Sequence, residues 1–205
     1  MIRGVAFLLF MLLVAGCSHQ KEFVVQPVAA AGPALTTKKS GKNMKVVKAD
    51  LDGDGKADVY VYYKIDPKTK QEDKVREEAD LNGDGRLDLW RWFDKKGRIL
   101  KDEYDLDFDG KVDERVVYKD GHPYMVELST QYDGKFDVKE FFAMLEDPQT
   151  HQKRLQMVLL KRSSKRNGIF DEFHYFVDGR LIRIGWDRDG DGRPEVFEDN
   201  PSVGQ

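Results

Sequence analysis

The chain has 205 residues, of which 35% are charged, and its formal net charge is -3 at pH 7. It contains one cysteine, Cys17, which excludes an intramolecular disulfide, so a different kind of cross-link has to stabilise the fold. No stretch resembles a nucleic-acid reader, and we expect no nucleic-acid partner.

The first residues predict export from the cytoplasm. The apolar run from Val5 to Val14 is too short for a permanent membrane-spanning helix and is typical of a signal peptide. It ends in Leu-Val-Ala-Gly-Cys17, which resembles a bacterial lipobox. This resemblance implies a lipoprotein signal peptide over residues 1–16 and a lipid on Cys17 that anchors the protein to a membrane. Ser18 then implies sorting to the outer membrane, on its periplasmic or surface face. An ordinary secretory signal with an unmodified cysteine is the alternative.

Residues 17–43 predict a flexible tether that starts at the lipidated cysteine. Small residues, proline, glycine and lysine dominate this stretch, and no helical or strand periodicity persists in it. An ordered segment at the edge of the folded part is the alternative. Residues 44–205 are enough for one domain with a core of its own.

Four stretches of this domain share one pattern of acidic residues. In Asp50-Leu-Asp-Gly-Asp-Gly-Lys-Ala-Asp58, carboxylates occupy positions 1, 3, 5 and 9, and a glycine occupies position 6. Alternate carboxylates of a tight loop point inward together, and Ca²⁺ prefers a cage of about six to eight oxygen ligands. The pattern therefore predicts a calcium-binding loop. We number the loops L1 (50–58), L2 (80–88), L3 (105–113), L4 (129–137), L5 (163–171) and L6 (187–195).

L4 and L5 are degenerate copies of this repeat. L4 keeps Asp133, Gly134 and Asp137, and L5 keeps only Asn167, Gly168 and Asp171. With one or two acids left, both are predicted to be turns without an ion. The loops hold about half of the acidic residues, so the rest of the chain is basic.

Strand-forming residues follow each loop and return to the next one. Leu89-Trp-Arg-Trp-Phe93 and Glu114-Arg-Val-Val-Tyr118 are rich in β-branched and aromatic residues, and turn signals such as Lys119-Asp120-Gly121 close these runs. The pattern predicts an all-β fold, an antiparallel meander of β-hairpins joined by the calcium-binding loops, as a curled or solenoid-like sheet. One face should be wet, and tyrosines and tryptophans should line the other. The segment 144–167 interrupts the rhythm and predicts a longer loop or a short helix.

Two families have similar loops. EF-hands place a bidentate Glu at position 12, which among the four loops with the full acidic pattern only L6 has, at Glu198. The closer resemblance is to the strand-framed calcium loops of integrin α-type FG-GAP repeats, Asp-x-Asp-x-Asp-Gly-x-x-Asp, and it covers the loops only. It implies Ca²⁺ ligands at positions 1, 3, 5 and 9 and at the carbonyl of position 7. The implied side-chain ligands are Asp50, Asp52, Asp54, Asp58, Asp80, Asn82, Asp84, Asp88, Asp105, Asp107, Asp109, Asp113, Asp187, Asp189, Asp191 and Glu195.

These features predict a non-catalytic, membrane-anchored calcium-binding repeat lipoprotein of the bacterial envelope. Calcium would stabilise a scaffold or an interaction surface for an envelope protein or a cell-wall partner. A component of a gliding-motility or adhesion machinery, a glycan-acting enzyme and a calcium sensor are the alternatives. Against an enzyme, metal geometry accounts for the acidic clusters, and the histidines are scattered along the chain.

Overall fold

The computed structural model of the protein describes residues 34–39, 43–147 and 149–201. The predicted signal peptide, Cys17 and most of the predicted tether lie outside the described residues. Within these ranges the chain forms thirteen strands and no helix. The strands are β1 (Ala34–Lys39), β2 (Met44–Asp50), β3 (Val59–Ile65), β4 (Glu72–Ala79), β5 (Leu89–Phe93), β6 (Ile99–Tyr104), β7 (Glu114–Lys119), β8 (His122–Leu128), β9 (Val138–Glu146), β10 (Lys153–Arg162), β11 (Glu172–Val177), β12 (Arg180–Trp186) and β13 (Val196–Asp199).

Each strand pairs with its neighbours in the sequence, always antiparallel, in one sheet that runs from β1 to β13 without closing on itself. Short connections produce this order, because consecutive strands joined by a turn or a small loop can only lie side by side in opposite directions. The predicted all-β antiparallel meander is therefore confirmed.

The connections at the two ends of the sheet differ in kind. The six loops L1 to L6 follow the even-numbered strands from β2 to β12 and so share one end of the sheet. The other end carries the hairpin turns. Between β7 and β8, Asp120 and Gly121 both have positive φ, 52° and 84°, which is the geometry of the two-residue turns that match strand twist.

The sheet begins earlier than the sequence indicates. Strand β1 lies within the segment predicted as a tether, and it pairs with β2 from Ala34 opposite Asp50 to Lys39 opposite Lys45. Backbone hydrogen bonds hold this edge strand, while its side chains from Ala34 to Lys38 are exposed. Its residues therefore show no alternation of apolar and polar positions that the sequence could reveal.

The longer loop or helix predicted for residues 144–167 is wrong. Most of this segment belongs to an extended hairpin, because β9 and β10 have 9 and 10 residues and exceed their neighbours in length. Residues 142–146 and 153–157 pair only with each other, whereas residues 138–141 also pair with β8. The interruption in the sequence rhythm reflects longer strands.

The expected division into a wet face and an aromatic face is also wrong. Tyr60, Glu78, Trp90, Glu103 and Arg115 are directly opposite one another on successive strands, so their side chains share one face. We call it the tryptophan face. Ion pairs cross this face, including that between Arg115 Nη1 and Glu127 Oε2 at 2.8 Å. Cations stack on the aromatic rings of this face, so the rings do not require an apolar surface to pack against.

Few apolar residues are buried in the described part of the chain. They are Val46, Ala79, Leu89, Val116, Val138 and Phe173. More polar than apolar side chains are buried, among them Asp102 and the carboxylates at position 9 of four loops, L1 to L4. A thin core of this kind leaves much of the stability to polar contacts. Within residues 34–39, 43–147 and 149–201, no helix is long and apolar enough to cross a membrane.

Candidate metal sites

The six loops form a row in which each is hydrogen-bonded to the one before it. The N–H of position 1 donates to the carbonyl of position 9 in the preceding loop, as from Asp80 to Asp58 (2.8 Å) and from Asp105 to Asp88 (2.8 Å). The same bond links L4 to L3, L5 to L4 and L6 to L5. The ladder of the sheet therefore continues through the loops and fixes their spacing.

Position 9 closes each loop from inside. Its carboxylate accepts the backbone N–H of position 2, for example from Leu51 to Asp58 at 2.6 Å and from Leu106 to Asp113 at 3.0 Å. The equivalent bond is present in all six loops. This contact aims the carboxylate into the loop, where the sequence predicts an ion.

Backbone N–H groups also orient the other carboxylates. In L1, Asp50 accepts from Gly53 (2.7 Å) and Gly55 (3.0 Å), and Asp52 accepts from Asp54 (3.0 Å). The glycine at position 6 has φ between +76° and +93° in all six loops, a conformation that other residues adopt only with strain. The loop is therefore wrapped around its own acidic side chains.

Three of the four predicted sites bring their acids together. Carboxylate oxygens lie within 4.8 Å of one another in L1 (Asp50, Asp52 and Asp58), in L3 (Asp105, Asp107 and Asp113) and in L6 (Asp187, Asp189, Asp191 and Glu195). All of these donors are hard oxygens. Such ligands suit Ca²⁺ and Mg²⁺ better than they suit softer metals. These groups could hold a metal ion.

Position 5 lies outside the acidic group in L1 and L3, and it is paired with a cation in L2. The cation comes from position 7 of the same loop. Arg86 Nη2 is 2.7 Å from Asp84 Oδ2 and lowers the pKa of Asp84 to about 2. Lys111 contacts Asp109 in the same way, and Lys56 is 3.6 Å from Asp54. In L2, with Asn82 at position 3, this pairing leaves Asp80 and Asp88 as the acids that face the loop.

L3 is the most buried of the candidate sites. The exposed fractions of Asp105 and Asp113 are 2% and 1%. Burial raises the pKa of Asp113 although the Leu106 N–H lowers it, and the neighbouring carboxylate of Asp107 raises it further. Asp113 Oδ1 has no hydrogen-bond partner among the described residues. A buried carboxylate oxygen without a partner costs free energy, which a bound cation would recover.

L6 also has the electrostatics of a cation site. The Asp191 N–H lowers the pKa of Asp189, but the adjacent carboxylates of Glu195 and Asp187 raise it, and the net shift is upward. Like charges held this close favour protonation unless a cation lies between them.

L4 and L5 differ from the other loops in the contacts of position 9. The Thr130 hydroxyl donates to Asp137 Oδ2 at 2.6 Å, and the Ser164 hydroxyl donates to Asp171 Oδ2 at 2.7 Å. Burial raises the pKa of Asp171, but the hydrogen bonds from Ser164 outweigh it and the net shift is downward. These two loops therefore satisfy their carboxylates with the chain's own groups.

A further polar cluster lies on the sheet face opposite the tryptophan face. Asp102 is 0% exposed and forms two hydrogen bonds of 2.8 Å with Arg91, from Nε and Nη2. The hydroxyls of Tyr104 (3.2 Å) and Tyr118 (3.1 Å) also donate to it. No sequence pattern indicates this cluster, because its members come from three strands and have no common spacing. Its hydrogen bonds are satisfied internally, which is typical of a structural role.

No family model matches the chain, and no curated protein matches it. A solved structure that is similar in part is the crystal structure of the GtfA/B complex bound to UDP and GlcNAc, with 13% sequence identity and a TM-score of 0.35. The match covers 63% of this chain and 25% of that chain, so it spans about a quarter of the larger protein.

Proposed function

We propose that this protein is a non-catalytic calcium-binding lipoprotein of the bacterial envelope. A lipid on Cys17 anchors it, and Ca²⁺ held in L1, L2, L3 and L6 stiffens the sheet. The observation that supports this proposal best is in L3, where the buried Asp113 belongs to an all-oxygen cluster and one of its oxygens has no hydrogen-bond partner among the described residues. An ion is the simplest group that satisfies it.

The role of calcium in this proposal is structural. The core of the described residues is thin, the chain's single cysteine excludes an intramolecular disulfide, and the carboxylates crowded into a loop repel one another in the absence of a cation. A site that exists only in the folded chain adds its binding free energy to folding. Calcium in the row of loops therefore does for this exported protein what disulfides do for others.

The tryptophan face supports the second part of the proposal, a scaffold that presents a surface to an envelope protein or a cell-wall polymer. Arg76 lies over the rings of Tyr62 and Trp92 at 5.9 and 5.2 Å, and Lys101 lies over Trp92 at 3.8 Å. A rigid row of alternating rings and cations offers stacking and charge to a partner. We place the protein on the outer membrane and expect no nucleic-acid partner.

Calorimetric titration of the purified full chain in detergent, after chelation, tests the proposal. We expect about four Ca²⁺ ions per chain, with dissociation constants of about 10⁻⁴ to 10⁻³ M, as in other extracellular modules. Replacing Asp52 and Asp54 by Ala should remove one ion, because L1 loses two of its four acids. The matched control is Asp73→Ala, which changes an acidic residue outside the loops and should leave the number of ions unchanged. A wild-type chain that binds no Ca²⁺ would refute the proposal.

A further inference from the structure

L4 and L5 share two replacements that L1, L2 and L3 lack. Position 1 is Ser129 or Ser163 where the other loops have Asp, and position 2 is Thr130 or Ser164 where L1, L2 and L3 have Leu. Both replacements introduce a hydroxyl. They occur together in the two loops that have lost acids, and their contacts show what they do.

In L4 the two hydroxyls donate hydrogen bonds to the carboxylate oxygens of the loop. Asp137 receives the Thr130 N–H on Oδ1 (2.8 Å) and the Thr130 hydroxyl on Oδ2 (2.6 Å). Ser129, 3% exposed, donates its hydroxyl to Asp133 Oδ1 at 3.3 Å. Each carboxylate of the loop is therefore hydrogen-bonded without an ion.

L5 repeats this arrangement with different residues. Asp171 receives the N–H and the hydroxyl of Ser164, each at 2.7 Å, and the Ser163 hydroxyl bonds Asn167 Oδ1 at 3.3 Å. Two loops of different sequence thus reach the same closure. The chain also provides L4 with a cation of its own, since Arg166 Nε in L5 is 3.7 Å from Asp137 Oδ2.

L3 has no hydroxyl at position 2, and its contacts show the consequence. Leu106 has only its backbone N–H to offer, which bonds Asp113 Oδ2, and the other oxygen of Asp113 has no partner among the described residues. The hydroxyl at position 2 therefore occupies the second oxygen of position 9 in L4 and L5, whereas Leu106 leaves that oxygen free for an ion in L3.

We propose that L4 and L5 are ion-independent closures, in which hydroxyls at positions 1 and 2 replace the calcium of the other loops. This inference rests on the proposed function, which assigns calcium to L1, L2, L3 and L6. The inference divides the sheet into two kinds of segment. The loops between β8 and β12 close with or without calcium, whereas the loops between β2 and β7 and between β12 and β13 depend on it.

Hydrogen exchange of the full chain in detergent, in chelator and in millimolar Ca²⁺, tests this division. The amides of Thr130 and Ser164 should keep their protection in chelator, whereas those of Leu51, Leu81 and Leu106 should lose it. Thr130→Val removes the hydroxyl at nearly constant shape and should raise the exchange rate of its amide about tenfold or more, in both media. Equal loss of protection in all of these loops on chelation would overturn the inference.

Ion counting separates this inference from the proposed function. Asp137→Asn and Asp171→Asn should leave the number of bound ions unchanged, whereas Asp113→Asn should lower it by one. Converting L4 with Ser129→Asp, Thr130→Leu and Gln131→Asp should add one ion. If Asp137→Asn or Asp171→Asn lowers the count, the inference is wrong while the calcium proposal stands. If the wild-type chain binds no ion, the calcium proposal fails, and the loss of protection in Thr130→Val still shows whether the hydroxyl closes L4.

Discussion

Chelation of Ca²⁺ should lower the melting temperature of the protein by about 6–28 °C. Four ions with dissociation constants of about 10⁻⁴ to 10⁻³ M, at about 2 mM free Ca²⁺, contribute about 3–7 kcal/mol to the free energy of unfolding. A domain of this size shifts by about 2–4 °C per kcal/mol. Thermal unfolding followed by circular dichroism, with and without chelator, measures the shift.

Mg²⁺ at the same concentration is the control for ionic strength. It requires near-ideal octahedral geometry and releases its water reluctantly, so we expect it to restore little of the lost stability. Equal melting temperatures in chelator and in Ca²⁺ would contradict a structural role for the ion. A rise with any divalent salt would indicate charge screening in place of a specific site.

Arg91→Met should lower the free energy of unfolding by about 3–5 kcal/mol, because it leaves the buried charge of Asp102 without its cation. Asp102 has an exposed fraction of 0%, and the two tyrosine hydroxyls that remain cannot neutralise it. Burial and the carboxylate of Asp102 already raise the pKa of both tyrosines. Urea unfolding in saturating Ca²⁺ measures the loss separately from ion binding.

Arg183→Met is the matched control for this prediction. Arg183 forms an ion pair with Asp199 at 2.5 Å, but the two side chains are 48% and 72% exposed. Solvent screens an exposed pair of this kind, so the same substitution should have little effect on the free energy of unfolding there. Equal losses for the two variants would show that burial of Asp102 does not set the cost.

The loops were predictable because their chemistry lies in one short stretch of chain. Position 6 needs glycine for its positive φ, and the acids at positions 1, 3 and 9 come together in L1 and L3, so spacing alone locates Asp50 and its equivalents. The strands that frame the loops were predictable for a similar reason. Leu89–Phe93 consists largely of aromatic and apolar residues and is bounded by an acidic loop and a turn.

Contacts between distant residues could not be predicted in this way. Arg91 and Asp102 meet because β5 and β6 pair in a particular register, and no local pattern encodes that register. The pairing of Arg86 with Asp84 is local, but in the sequence it is indistinguishable from a solvated arginine. From the sequence alone, Thr130 and Ser164 indicate only a degenerate copy of the calcium loop, and their function is visible in their hydrogen bonds to Asp137 and Asp171.

We propose that divalent cations close the row of loops at one end of the sheet. Anomalous diffraction from crystals of the protein grown in millimolar Ca²⁺ tests it most directly. We expect four peaks, one in each of L1, L2, L3 and L6, with oxygen ligands at about 2.3–2.6 Å, and none in L4 or L5. A map in which the loops are well ordered but carry no peak, with their carboxylates directed into solvent, would contradict the claim.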